Sequence, residues 1–253
     1  MKEGLRLEQE LGANPFKYGL IGSTDTHLGS SGLSSEDAYP GHGGAGLAAR
    51  DEVPEGLTDL IENSPGGLAV LWAEQNTRPA LFDAMRRREA YATSGHRPIV
   101  RFFGGWDLPV DHCAQPNFAA QGYDHGVPMG GDLPAAVSTD TAPRFSVSAL
   151  RDPGAPGEPV AALQRVQIIK GWVTPEGEKR EEVFEVAGSP DNGASVDLAT
   201  CEPIGAGHAS LCAVWEDPDF NPAESAFYYA RVVDNPTCRW SARQCLAASV
   251  DCA

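Results

Sequence analysis

The 253-residue sequence predicts an α+β fold in two parts, and three features of the chain support that prediction. Near the amino terminus, a helix, a short loop and a short apolar run follow one another, which is the order of an α/β unit. A second strand and helix come after a long polar stretch. Beyond residue 97, six apolar runs joined by turn-rich segments are typical of an antiparallel β-sandwich.

The first part of the chain, residues 1–97, opens with a predicted helix and strand. Leucines recur among charged side chains over residues 3–12, and Gly12 stands where a helix would end. Residues 18–22 (YGLIG) are an uninterrupted apolar run, which predicts a strand buried on both faces. Helix, loop and buried strand together predict the edge of an α/β barrel or sheet.

A long polar stretch separates this unit from the next strand and helix. Residues 28–64 are rich in Gly, Ser, Pro and acidic residues, which predicts a loop with one short helix at 57–62. Residues 67–73 predict a strand and residues 77–88 a helix with Pro in its first turn. The buried stripe of that helix is predicted to hold Leu81, Phe82 and Met85.

The second part, residues 98–253, is predicted to be a β-rich, sandwich-like domain. Apolar and polar side chains alternate over residues 144–150, as expected of a strand with one face in a core. The predicted strands are residues 99–103, 144–150, 163–172, 181–186, 211–215 and 226–233.

Charge and hydropathy limit the partners of the protein. The formal net charge is -16 and the pI about 4.7, so phosphate backbones and anionic lipid surfaces are repelled. We expect neither nucleic acid nor membrane as a partner. The first residues lead into a charged helix rather than an apolar signal segment, so we expect no signal peptide in this chain.

Six cysteines, five of them from Cys201 onward, indicate disulfides and an oxidising compartment. We therefore expect a periplasmic or secreted protein, with the connectivity open. The alternative is a set of reduced, buried cysteines in a cytosolic protein. His112, next to Cys113, is expected to lie in a surface loop.

One short motif carries metal-binding chemistry. Asp25 and His27 are two residues apart, so an extended backbone would point both side chains to the same side. They follow the predicted strand at 18–22, and the carboxyl ends of strands are where α/β folds build active sites. The spacing predicts two ligands of one divalent metal ion, with Asp25 also the catalytic candidate.

Long stretches of the chain resemble the uncharacterised DUF3604 family. The resemblance covers nearly the whole sequence, and its motifs are long enough to be specific. They are residues 19–27 (GLIGSTDTH), 63–74 (NSPGGLAVLWAE), 76–78 (NTR), 84–95 (AMRRREAYATSG), 126–133 (GVPMGGDL), 167–172 (QIIKGW) and 227–232 (FYYARV).

The resemblance implies a relation to PHP-type metal-dependent hydrolases, whose distorted α/β barrel closes with a strand that bears Asp-x-His ligands. Asp25 and His27 match that pair, which implies a divalent metal such as Zn, Mn or Fe and hydrolysis of a small ester or phosphoester. The other ligands of such barrels, including a His-x-His pair, come from upstream strands. This sequence has no His-x-His, so we expect the C-terminal part of a barrel, with an incomplete metal site.

Four further residues are candidates for positions near the substrate or metal. His42 lies in a Gly-rich loop, and it is expected to be an exposed loop histidine if it is not a ligand; His96 follows residues 84–95. Glu74 and Arg78 flank the start of the second helix, where an arginine can hold an anionic substrate. Their alternative role is a salt bridge between strand and helix.

Two functions of different class remain open from the sequence. The first is part of a metal-dependent hydrolase that is inactive as an isolated chain. The second is a noncatalytic β-sandwich module with a structural or oligomerisation role. An unpaired barrel edge at residues 18–22 would favour a homo-oligomer in either case.

Overall fold

A computed structural model of the chain describes residues 1–25, 27, 39, 65–136, 141–154 and 160–250. Within these residues, helices and antiparallel strands are both present, which confirms the α+β class. The helices and strands are α1 (Lys2–Leu11), β1 (Ala69–Leu71), α2 (Arg78–Arg87), β2 (Ala90–Ala92), β3 (Ile99–Gly105), α3 (Phe118–His125), β4 (Val127–Pro128), β5 (Arg144–Leu150), β6 (Leu163–Val173), β7 (Lys179–Gly188), β8 (Ser195–Val196), β9 (Pro203–Ile204), β10 (Ser210–Glu216), β11 (Ser225–Asp234) and α4 (Trp240–Ala248).

Two antiparallel sheets share the main core. One has the strand order β10-β5-β3-β4 and the other β11-β6-β7. All six strands predicted after residue 97 are present, and each is slightly longer than, or equal to, its predicted range. Both sheets contribute to one apolar cluster, which includes Val100, Phe102, Phe145, Val147, Val166, Ile168 and Leu211.

The reverse face of β5 is also buried, and it corrects the prediction for His112. His112 is fully buried rather than in a surface loop, and its ring stacks on Phe118 with centroids 4.2 Å apart. His112 Nε2 donates to the Phe118 carbonyl at 2.9 Å, and Nδ1 lies within hydrogen-bond distance of Ser146 Oγ, at 2.8 Å. The two bonds allow this histidine to be buried without unpaired polar atoms.

Helix α1 confirms its prediction and packs against the β6–β7 hairpin. It ends at Gly12 in the left-handed conformation, φ 74°. Leu5 is buried, and Gln9 Nε2 lies 3.4 Å from the Val173 carbonyl at the end of β6. Contacts therefore cross residue 97, and the division of the chain into two domains there stays a prediction.

The predicted buried strand at residues 18–22 is wrong. These residues form no strand pairing, and the side chains of Tyr18, Leu20 and Ile21 are 55%, 54% and 62% exposed. A continuous apolar run forms a buried strand only where neighbouring elements cover both faces. The described residues provide no such cover. The predicted loop at 28–64 and its helix at 57–62 lie outside the described residues, apart from Tyr39.

Helix α2 has its predicted position, with Thr77 at its N-cap, but its predicted buried stripe is wrong. Phe82 and Met85 are 55% and 52% exposed, and Ala84 is instead fully buried. The helix turns a small side chain toward the two-stranded sheet of β1 and β2. Phe82 and Met85 therefore face outward, whereas Leu81 is half-buried.

Two helices within the second part escaped prediction. Helix α3 lies against β3 and β4, and α4 follows the last strand. Tyr39 is 1% exposed and packs edge-on against Trp240 of α4, with ring centroids 5.2 Å apart. Gln244 of the same helix donates to the Tyr39 carbonyl at 2.7 Å. Short amphipathic helices of this kind carry little periodic signal in a strand-rich sequence.

The predicted disulfides are confirmed for the described cysteines. Cys113 pairs with Cys212, and Cys201 pairs with Cys238. Cys245 is also disulfide-bonded. The Cys113–Cys212 bond ties the segment that holds His112 to β10, so it fixes the cover of the four-stranded sheet. Among the described helices, none has the length and apolar character needed to cross a bilayer.

Candidate functional site

The segment that carries the predicted metal ligands lies against the ends of the two-stranded β1–β2 sheet, at Leu68 and Thr93. A Cβ atom on Gly22 would stand 2.8 Å from the Thr93 carbonyl oxygen and 3.0 Å from that of Leu68. A Cβ on Gly67 would stand 2.2 Å from the Ser23 carbonyl oxygen. Glycine is required at both positions because any side chain would push the two backbones apart. The segment is therefore held by close backbone contact while its own side chains point outward.

Asp25 sits in a turn rather than in an extended strand. Its φ is 54°, in the left-handed region that aspartate tolerates better than most residues. Its N–H donates to Ser23 Oγ at 3.1 Å, which closes the turn. The prediction of an extended backbone at Asp25 is therefore wrong, and the orientation of Asp25 and His27 to the same side stays a prediction. Both residues are exposed, and their side chains are open to solvent.

The metal-binding capacity of the described residues is limited. A carboxylate and an imidazole suit Zn, Mn or Fe, but a catalytic zinc takes about three protein ligands. Within the described ranges, no group of three or more His, Cys, Asp or Glu side chains is arranged to hold a metal ion. His42, a predicted neighbour of the site, lies outside those ranges. Asp25 and His27 alone are therefore fewer ligands than such a site requires.

The remaining predicted residues are placed apart from one another. Glu74 is exposed and its Oε1 lies 3.6 Å from Arg87 Nη2, so its partner is not Arg78. Arg78 begins α2 and is exposed. His96 Nδ1 lies 3.3 Å from Asp234 Oδ2 at the end of β11. The structure therefore does not gather these three residues into one hydrogen-bonded group.

A cleft that sequence analysis missed lies beside β1 and β2. Its volume is about 520 Å³. The end of β1, the last turn of α2, the start of β2, and residues of β3 and α3 form its walls. The side chains that give it chemical character are Trp72, Glu74, Arg87, Glu89, Arg101 and Tyr123.

Glu89 is the buried centre of this cleft. It is 3% exposed, and its carboxylate accepts a hydrogen bond from the Tyr123 hydroxyl. Arg87 Nη2 lies 3.4 Å from one carboxylate oxygen and Arg101 Nη1 3.6 Å from the other. Arg88 ends α2 with φ 60°, and this left-handed turn carries the chain directly from the helix into β2. The turn places Glu89 inward, where only paired carboxylates are stable.

Arg101 connects the aromatic side chains of the cleft. Its guanidinium carbon lies 3.3 Å from the centroid of the Trp72 ring, a stacked cation–π contact. Arg101 Nη1 donates to the Tyr123 hydroxyl at 2.9 Å. Burial first, and then the hydrogen bond to the Glu89 carboxylate, raise the pKa of Tyr123. The hydroxyl therefore stays protonated and donates to Glu89.

The sequence held a partial signal for this cleft. Arg101 alternates with Val100 and Phe102, which places it on the face of β3 away from the shared core. Glu89 immediately precedes the short strand β2, and its only signal in the sequence is its place in the motif at residues 84–95. No local pattern shows that α3 brings Tyr123 to Glu89 and Arg101, since the contact between Tyr123 and Glu89 spans 34 residues.

The family of this chain follows from a comparison with family models. The model described as "Protein of unknown function (DUF3604)" matches residues 1–253. The chain belongs to the DUF3604 family. No curated protein and no solved structure matches it. In this DUF3604 chain, Trp72, Arg87 and Glu89 of the cleft fall within the stretches of sequence that carried the resemblance, and so do Asp25 and His27.

Proposed function

We propose that this chain is part of a metal-dependent hydrolase that cleaves ester or phosphoester bonds of small molecules. Asp25 and His27 bind a divalent ion, Zn, Mn or Fe, in this proposal. The observation that carries it is the placement of Asp25 and His27. They are an exposed carboxylate and an exposed imidazole, two residues apart, on a segment fixed against the β1–β2 sheet. In terms of fold, residues 1–97 correspond to the closing part of a PHP-like barrel.

The two side chains have distinct roles in this proposal. Asp25 supplies carboxylate oxygens to the ion and accepts a proton from a water molecule. His27 supplies a ring nitrogen. A bound divalent ion would activate that water and polarise the scissile group. The turn closed by Ser23 holds the Asp25 backbone, so the carboxylate needs little ordering to bind. Further ligands come from residues outside the described ranges, His42 among them, or from another polypeptide segment.

Metal content of the purified chain tests the proposal. Inductively coupled plasma mass spectrometry should find Zn, Mn or Fe near one equivalent in the wild type after incubation with each metal and desalting. The double substitution Asp25→Ala/His27→Ala should remove it. The matched control is Asp124→Ala/His125→Ala, an exposed Asp and His pair on α3, which should retain the wild-type metal content.

Either of two results would count against the proposal. One is metal binding that survives Asp25→Ala/His27→Ala. The other is metal lost equally from the control. A phosphodiester and a carboxylic ester with chromogenic leaving groups, assayed with the metal that binds, then test hydrolysis, which we expect only when the further ligands of the site are present.

A noncatalytic oligomerisation module is the second candidate, and one observation favours it. Tyr18, Leu20 and Ile21 form an exposed apolar run, and α2 exposes Phe82 and Met85. Exposed apolar surface of this kind is typical of contact with another chain. Light scattering should then give a homo-oligomer that Leu20→Ser/Ile21→Ser converts to a monomer, with no metal-dependent activity. A wild-type monomer would exclude this alternative.

The compartment belongs to the proposal as well. Disulfides persist in oxidising environments, and two are present among the described cysteines. We therefore place the protein in the periplasm or outside the cell. The acidic net charge of -16 supports the proposal that neither nucleic acid nor a membrane surface is a partner.

A further inference from the structure

The cleft around Glu89 has the size of a small-molecule site, since its volume of about 520 Å³ falls within the range of such pockets. We propose that it binds a small organic oxyanion, a carboxylate or a phosphate monoester. Arg87 and Arg101 hold the oxyanion in this proposal. The inference does not depend on metal binding by Asp25 and His27.

The charges that line the cleft favour an anion. Two guanidinium groups, those of Arg87 and Arg101, face one buried carboxylate, that of Glu89. The second carboxylate, on Glu74, has a side chain 73% exposed and lies 3.6 Å from Arg87. Surface ion pairs of that kind contribute little to stability, so an incoming oxyanion displaces Glu74 at small cost. A cationic ligand would instead meet both guanidinium groups.

Arg101 retains hydrogen-bond donors for a ligand. Its hydrogen bond and ion pair with described residues both come from Nη1. Nε and Nη2 belong to the same planar fork, which matches the two oxygens of a carboxylate or phosphate. The Trp72 ring on one side and the Tyr123 hydroxyl hold the guanidinium in place. A fixed donor costs less ordering on binding than a free side chain.

The remaining walls suit the organic part of such a ligand. Ala73, Pro128 and Trp72 contribute apolar surface. The indole N–H donates to the Val100 carbonyl at 3.0 Å, so the ring keeps its orientation with or without a ligand. A ligand with an apolar body therefore gains contacts that an inorganic ion lacks.

Calorimetric titration of the full chain with phenyl phosphate, benzoate and inorganic phosphate tests this proposal. We expect saturable binding of one or both organic anions and weaker binding of inorganic phosphate. Arg87→Gln and Arg101→Lys should each weaken binding by about tenfold, because the first removes a charge and the second removes the planar fork. Circular dichroism melting curves check that both variants fold.

The matched control is Arg86→Gln. Arg86 precedes Arg87 on α2, is exposed and does not line the cleft. It should bind the organic anions with wild-type affinity. Equal weakening in Arg86→Gln would show attraction by general charge and overturn the proposal. So would the absence of saturable heat from both organic anions at millimolar concentration, or inorganic phosphate binding as tightly as phenyl phosphate.

Discussion

Two clusters in this protein join a carboxylate, a cation and a tyrosine hydroxyl in opposite surroundings. In the sandwich, Lys170 Nζ lies 2.7 Å from Asp217 Oδ2, and the Tyr228 hydroxyl donates to the same oxygen at 2.6 Å. The side chains of Lys170 and Asp217 are 3% and 0% exposed. In the cleft, Glu89 has equivalent partners, but those partners reach solvent.

The difference shows how access decides the role of such a group. The Lys170 ammonium also donates to the Asp219 carbonyl at 2.9 Å, and both side chains of its ion pair with Asp217 are buried. That cluster ties β6, β11 and the end of β10 together. Tyr123 is 46% exposed and the Arg101 side chain 23%, so the cleft cluster has donors that a ligand can reach. Similar chemistry thus serves packing in one place and binding in the other.

The largest effect is expected from Lys170→Met. The substitution leaves the Asp217 carboxylate buried without its cation, which typically costs about 3–5 kcal/mol in the free energy of unfolding. Urea denaturation monitored by circular dichroism measures the loss. Arg180→Met is the surface control, since Arg180 pairs with Glu178 and both are exposed; it should change stability by less than about 1 kcal/mol. Equal losses in the two variants would remove the distinction between the clusters.

Arg101→Met should have an intermediate effect on stability. Glu89 keeps Arg87 and the Tyr123 hydroxyl as partners, and water can enter the cleft. We therefore expect a loss of about 1–3 kcal/mol, measured by the same urea denaturation. A loss as large as that of Lys170→Met would mean that the cleft cluster is sealed and structural.

The pH dependence of stability distinguishes Tyr228 from an ordinary phenol. Burial first, and then the hydrogen bond to Asp217, raise the pKa of Tyr228. In the unfolded chain the Tyr228 phenol ionises at about pH 10. Above that pH, unfolding therefore releases a proton that the folded protein still holds. The stability from this group is therefore complete below about pH 10 and falls as the pH rises toward the folded-state pKa.

Comparison of the wild type with Tyr228→Phe isolates that contribution. Urea denaturation above about pH 10 should show the wild type losing about 1.4 kcal/mol more per pH unit than the variant. Measurements at neutral pH provide the control, because there the two proteins differ only by the pH-independent loss of the hydrogen bond. Parallel slopes above pH 10 would contradict the raised pKa.

The smallest effect on stability is expected from Arg87→Gln. Arg87 has a side chain 43% exposed, and its two ion pairs are long, at 3.4 and 3.6 Å. The free energy of unfolding should change by less than about 1 kcal/mol in urea denaturation. Because the same variant is expected to weaken anion binding, it separates function from stability. A large loss of stability would assign Arg87 a structural role.

The sequence predicted the long strands after residue 97 more successfully than the residues before them. Alternation over β5 and the apolar runs of the other long strands identified all six elements, because each strand places one face in a shared core. The same reasoning was wrong for residues 18–22 and for Phe82 and Met85. An apolar run shows that a segment is suited to burial. Whether it is buried depends on neighbouring elements that the run itself does not specify.

For the candidate sites, the sequence identified Asp25 and His27 by their spacing and motif, but not their geometry. The left-handed turn at Asp25 depends on Ser23 and on the close approach of Gly22 and Gly67 to neighbouring backbone. The cleft had weaker signals still. Glu89 and Arg87 lie in the motif at residues 84–95, and Arg101 is marked only by its alternation with the core residues of β3; their contacts depend on how α2, β3 and α3 meet.

The sequence by itself determined the α+β class, the order of the long strands, the acidic character and the even set of six cysteines, and its long motifs indicated the family. Class, strand order and charge follow from local periodicity and composition, whereas the family follows from the resemblance of those motifs. Tertiary structure alone decided that His112 is buried, that Lys170 is sealed against Asp217, and that Arg101 opens onto a cleft. The physical reason is that burial and pairing of a polar side chain depend on partners far away in the sequence, and local patterns do not record those partners.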